Sequence, residues 1–280
     1  MVFNKRWAVV SALCAMASVQ GGASIAKYLF HLLGPAGAVT LRVGLAGVIL
    51  FLLNRPAISK FGRREWLCVI FYGFSTGAMN LTFYYGIQRV PLGIGVAVEF
   101  IGPLSVALFA SRKALDFVWA FLAGLGIWLI VPKSSGTGDL LGIIFVAIAG
   151  VMWAMYIIAA AKISKTMKSS EAVPCGMFFA TLLVLPFGLC SGDLFKLDWK
   201  LLLIGCGVAV FSSALPFTLD LWTMKKLPAK TFSVLQSLQP AFAALSGLLF
   251  LGEKLTPTQW TAILCVIIAS TGSALCSPER

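Results

Sequence analysis

PLGIGVAVEFIGP, residues 91–103, begins and ends in proline and carries one glutamate, Glu99, among apolar neighbours. The stretch PAKTFSVLQSLQP at 228–240 repeats that proline spacing 137 residues later and sets Gln236 opposite Glu99. Farther along, KALDFVW (113–119) aligns with KLTPTQW (254–260) at an offset of 141, and Ser75-Thr76 falls on Ser212-Ser213 at the first offset. Apolar helices resemble one another by chance, but two matched prolines, a lysine and a tryptophan argue for a true internal repeat. The chain therefore divides into halves, 1–133 and 139–280.

Both halves are made for a bilayer. Of the 280 residues 59% are hydrophobic and 11% charged, where a soluble domain carries roughly 25% charged residues. Apolar runs long enough to cross a hydrocarbon core of about 30 Å recur at 7–30, 35–53, 66–88, 91–111, 115–132, 140–161, 172–191, 199–223, 229–250 and 257–276. The expected fold is an all-α membrane protein with ten transmembrane helices. Five spans per half is an odd number, so the halves insert with opposite orientation, as two inverted five-helix repeats. The first run is too long for the apolar region of a cleavable signal, and no small-residue cleavage site follows Lys27.

Charge sets the orientation. With a cytoplasmic amino terminus, 15 of the 22 basic residues fall in cytoplasmic segments and 6 on the opposite side. The positive-inside rule then puts both termini in the cytoplasm. The same asymmetry explains the net charge of +12: a basic face lies beside anionic lipid, and no nucleic-acid partner is called for. The seven cysteines lie in or at the edge of apolar runs, form no CxxC pair and make an odd count. They suggest packing, not a metal site or a disulfide framework.

The segments AMASVQGGASIAKYLF (15–30), PLGIGVAVEFIGPLSVALFASR (91–112), DFVW (116–119), LPAKTFSVLQSLQPAFAALSGLLFLGE (227–253) and FLGEKLTPTQWTAILCVIIASTG (250–272) resemble EamA-type repeats of the drug/metabolite transporter superfamily. They are most similar to its bacterial inner-membrane threonine/homoserine exporter branch. That resemblance implies a ten-helix carrier exporting small amino acids or related metabolites by proton antiport with alternating access. One departure stands out: where the family's second repeat commonly has a glutamate before the proline, this chain has Gln239.

Polar residues inside apolar runs are the candidate site. A charge at the bilayer centre costs on the order of 3 kcal/mol and usually faces a cavity or a partner. Nine of the ten acids lie at or near loop ends; Glu99 does not, which nominates it for proton coupling, with a structural acid hydrogen-bonded to a neighbouring helix as the alternative. Gly95, Gly102 and Pro103 share its helical face, and Pro103 loosens the backbone one turn earlier. Pro240 is its counterpart. Arg42 stands at similar depth, able to bind a substrate carboxylate bidentately or to neutralise Glu99, with snorkelling toward the outer headgroups as the alternative. Gln20, Asn80, Tyr84, Trp153, Gln236 and Gln239 complete the expected substrate-binding set, with helix-to-helix bonding and packing as the alternative for each. Lys27 is expected to snorkel outward, Asp220 to pair with Lys225 or Lys226, and His31 to be a loop residue.

An enzyme is not expected for want of parts: no HExxH, no phosphate loop and a single histidine. We expect no cofactor and no metal, and a small-molecule substrate, protons and the lipid bilayer as partners, with a homodimer left open. A carrier or importer of another metabolite (nucleoside-like, a methylated cofactor, an aromatic amino acid) remains the alternative, and a passive channel or structural bundle the different class. The scaffold alone does not choose among them.

Overall fold

The computed structural model describes residues 2–110, 115–130, 139–163, 166–216, 219, 223 and 234–276. Its long elements are α1 (Val2–Tyr28), α2 (Phe30–Asn54), α3 (Arg63–Ile87), α4 (Leu92–Glu99), α5 (Ile101–Ala110), α6 (Leu115–Ile130), α7 (Leu140–Ile163), α8 (Ser169–Cys190), α9 (Trp199–Ala209), α10 (Gln239–Leu251) and α11 (Pro257–Cys276). No strand occurs among the described residues. Among the described residues seven helices are long and apolar enough to cross a membrane, and the segments Leu92–Val106, Phe117–Ile130 and Trp199–Ala214 are shorter apolar ones. Without water, each backbone amide must bond within its own segment, so apolar runs of this length become helices.

Polar caps finish the helices where the chain meets water. Glu65 accepts from Gly62 N at 2.6 Å to start α3, and Asp198 accepts from Leu201 N at 2.7 Å to start α9. Gly252, at φ 66°, ends α10 in the left-handed conformation that glycine adopts without strain.

The interior departures from regularity matter more. The run expected at 91–111 is not one helix: it is interrupted at Phe100, between α4 and α5. The physical cause is Pro103, which has no N–H to offer the carbonyl of Glu99. Close backbone contact occupies the same place. A Cβ on Gly102 would collide with the Gly150 carbonyl oxygen, and one on Gly150 would lie 2.7 Å from the Glu99 carbonyl oxygen. Residues 237–238 form a turn ahead of α10, and α9 continues into a π-helical turn at Val210–Ala214.

α4 is the centre of the bundle, buried along its whole length. It packs on α10 and α7, while α2 packs on α8, α6 on α11, and α3 on both α7 and α8. α1 packs on α10 and on the π turn, and α2 also on α9. Large apolar side chains such as Phe117 (82% exposed) and Leu249 (74%) cover the outside, as a lipid-facing surface requires. Among the described cysteines none is paired. Asp220, Lys225, Lys226 and residues 228–233 lie outside the described residues.

Candidate functional site

Arg42 projects from α2 into the interior and is 7% exposed. Its Nη1 donates to Ser212 Oγ at 2.7 Å, its Nη2 donates to Asn80 Oδ1, and its guanidinium lies 4.8 Å from the centre of the Tyr84 ring. Asn80 and Tyr84 are four residues apart on α3 and so share a face. Asn80 is fixed in turn by donating from Nδ2 to Thr76 O at 2.8 Å. Ser212 sits on the π-helical turn, an irregularity found often at functional sites.

All these partners are neutral. Among the described residues no carboxylate hydrogen-bonds the guanidinium; Glu99 acts on it only through space, and a cation over an aromatic face offsets part of the cost of burial. Two buried polar atoms here, Arg42 Nε and Tyr84 Oη, have no hydrogen-bond partner among the described residues. The cluster is thus electrostatically prepared for an anion with several acceptor oxygens.

Glu99, the last residue of α4, is also 7% exposed. Of the two roles expected for Arg42, a direct ion pair with Glu99 is not formed. The two are electrostatic neighbours but do not form an ion pair, because Asn80 and Ser212 hold the guanidinium on the α3 and π-turn side. Among the described residues, no side chain hydrogen-bonds the Glu99 carboxyl.

A second group gathers the amides. Gln20 Nε2 donates to Gln239 Oε1 at 3.1 Å, and Gln239 Nε2 donates to Gln236 Oε1 at 2.6 Å. The chain ties α1 to the turn before α10, where Pro240 is buried in the first helical turn. α1 also meets the π turn that carries Ser212, since a Cβ on Gly22 of α1 would lie 2.7 Å from Ser212 Cβ. Trp153 belongs to neither: it meets Phe100 edge-on at 5.4 Å, beside the helix interruption. Tyr85 stacks on Phe145, and Tyr156 meets the Tyr72 ring at a tilt and shares a side-chain hydrogen bond with it, so both serve contacts between helices. Pro103 is half-buried on α5, and His31 is an exposed helical residue, not a loop residue.

Lys27 also departs from expectation. It does not snorkel outward; its Nζ pairs with Glu253 Oε1 at 2.5 Å and donates to Val90 O at 3.1 Å. Glu253 Oε2 accepts from Leu92 N at 2.7 Å, at the start of α4. A carboxylate at a helix N-terminus and an ammonium beside it explain one another. Glu253 is the residue that sequence reasoning missed. Its only signal was position, just past a helix-ending glycine.

The family model described as the EamA-like transporter family matches residues 6–131 and 140–275. The chain belongs to the EamA-like transporter family. Membership makes it a transporter and not an enzyme. It is 43% identical over 269 residues to the threonine/homoserine exporter RhtA of Escherichia coli strain K12, covering 95% of this chain and 91% of that one. The same-named protein of Salmonella typhimurium strain LT2 is 42% identical, covering 94% and 90%. A transporter described as an uncharacterized inner membrane protein, YicL of that Salmonella strain, is 25% identical over 81% of each chain. A solved crystal structure superposes with a TM-score of 0.63 over 97% of this chain and 98% of its own at 15% identity, a likeness of fold alone.

The EamA resemblance carried by the quoted segments is thereby established, and the arginine and amide clusters lie inside an EamA-family transporter. Among the described residues no group of three His, Cys, Asp or Glu is placed to hold a metal ion.

Proposed function

We propose that this EamA-family chain exports small amino acids, threonine and homoserine among them, across the bacterial inner membrane by proton antiport. The observation that carries the reading is the 43% identity over 95% of the chain to an exporter named for those two amino acids. The inner-membrane assignment has support from the name of YicL.

In this reading the substrate α-carboxylate lies against Arg42, taking the free Nε and the Tyr84 hydroxyl. Planar bidentate pairing gives both affinity and orientation. The Gln20–Gln239–Gln236 chain offers amide donors and acceptors to the rest of a small polar substrate. Glu99 carries the proton, standing where α4 is interrupted.

The two halves, 1–133 and 139–280, act as inverted five-helix repeats that rock about the site, with both termini in the cytoplasm. The packing pattern supports this. α2 on α8, α4 on α10 and α6 on α11 are each a span against its counterpart in the other half, while α3 on α7 is answered by the π turn on α1. Gln239, lacking an acid, has no proton role here.

The test is transport in proteoliposomes, with a panel of amino acids and nucleosides, with and without an imposed pH gradient. Threonine and homoserine should be accumulated only when the gradient is present. In Glu99→Gln, which copies Gln236, pH-driven accumulation should vanish while substrate counterflow persists. Undiminished accumulation in that variant would remove Glu99 from the coupling step. Transport of nucleosides but not amino acids would overturn the substrate class.

A further inference from the structure

We propose that the chain holds one anionic phospholipid in a cleft between α2 and α8, its acyl chain in the cleft and its phosphate on the basic residues at the cleft's end. The cleft measures about 530 Å³ and is lined by Gly44, Gly47, Phe51, Trp66, Phe178 and Thr181, among others. That volume falls within the roughly 300–1,000 Å³ typical of small-ligand sites. It is separate from the transport site, because Arg42, Glu99 and the three glutamines do not line it.

Two features distinguish it from ordinary lipid-facing surface. The wall is fixed by aromatic contacts: Trp66 meets Phe179 edge-on at 6.1 Å, Phe61 meets Trp66 at 5.3 Å and Phe178 meets Phe179 at 5.6 Å. Its floor is glycine: Cβ atoms on Gly44 and Gly47 would lie 3.4 Å from the Thr181 side chain, so the recess exists because those side chains are missing. A preformed apolar slot in a membrane helix pair suits a hydrocarbon chain, which needs no polar partner.

Charge selects the headgroup. Arg55 stands three residues after the lining Leu52, and Arg63 and Arg64 stand three and two residues before the lining Trp66, all three exposed. Lys168 begins α8, one helical stretch before the lining Cys175. Residues 55–66 and 168–175 hold five basic residues against two acidic ones, Glu65 and Glu171. Glu65 is already engaged in capping Gly62 N at 2.6 Å. Basic residues at the membrane surface favour anionic lipid, and the preference is screened by salt.

Native mass spectrometry of the purified full-length protein tests this, with phosphatidylglycerol and phosphatidylcholine of identical acyl chains. Phosphatidylglycerol should be retained about tenfold more strongly or better at low salt. Arg55→Gln with Arg63→Gln should bring its retention down to the phosphatidylcholine level. Val48→Trp should lower retention of both lipids, because Val48 lines the cleft yet is 56% exposed and so tolerates a larger side chain. Inorganic phosphate should not displace the lipid. Equal retention of the two lipids, an unaltered preference in the arginine variant, or unchanged retention in Val48→Trp would each overturn the proposal. Displacement by phosphate would replace it with a simple anion site.

Discussion

Glu253→Gln should destabilise the protein far more than an ordinary loop substitution. The carboxylate makes two charge-assisted contacts, to Lys27 Nζ at 2.5 Å and from Leu92 N at 2.7 Å, and the paired side chains are 15% and 19% exposed. A hydrogen bond to a charged group contributes about 1.5–3 kcal/mol. The amide can retain the Leu92 bond in weakened form, so the loss falls mainly on the Lys27 side. Leaving a fully buried charge unpaired costs about 3–5 kcal/mol, which partial exposure reduces to about 2–3 kcal/mol. At about 2–4 °C per kcal/mol for a chain of this size, the midpoint in detergent should fall by about 5–10 °C. A thermal-shift assay with Lys27→Met, Glu253→Gln and the double variant gives the coupling energy. Residues in direct contact should be non-additive by at least about 1 kcal/mol. The exchange of charges, Lys27→Glu with Glu253→Lys, should rescue only partly, because a lysine at the start of α4 opposes the helix dipole. Additive single effects, or full rescue by the exchange, would refute the reasoning.

Arg42→Lys should weaken amino acids with a free carboxylate about 30-fold or more, since it loses the bidentate fork and the Tyr84 stack, about 2 kcal/mol together; methyl esters tested in the same counterflow assay should lose much less. Gly102→Ala should reduce the folded yield sharply, because its Cβ would meet the Gly150 backbone, which cannot yield as a side chain could; fluorescence-detected size exclusion reads this directly. Arg89 holds the Asp139 carboxyl below the usual aspartate range. Its stabilising effect is therefore fully present above about pH 4 and fades as pH falls through the lowered value. Asp139→Asn should flatten the acid limb of a stability-versus-pH curve, and an unchanged limb would show that the pair contributes nothing.

Much of this was readable because bilayer physics is strict. Apolar runs become helices, and Arg42, Asn80 and Tyr84 stood out as polar groups where hydrocarbon forbids waste. Spacing along the chain did not reveal partners. Counting residues along the spans puts Arg42 and Glu99 at one depth, yet Arg42 turns toward Asn80 and Ser212, because azimuth around the bundle depends on packing that one-dimensional spacing does not contain. Lys27 was misread for the same reason: snorkelling is the default for a lysine near a span's end, and Glu253 stands 226 residues away in sequence. The interruption at Phe100 was half legible, since Pro103 announced a loosened backbone, while the Gly150 contact that occupies it comes from another helix.

The pseudo-symmetry of the chain bears on where coupling can reside. At matched positions the first half has Glu99 and the second has Gln236. Gln236 is closed into a chain of neutral amides through Gln239 to Gln20, so its polar demand is met in place. Glu99 has no such chain, and its own backbone carbonyl faces Gly150 across the interruption between α4 and α5. The amide chain leaves Gln236 no charge to exchange, whereas Glu99 is an acid held by no side-chain hydrogen bond among the described residues. In the antiport reading proposed above, Glu99 must meet water on each side in turn, so the decisive variable is whether its wet face changes between the two orientations of the bundle.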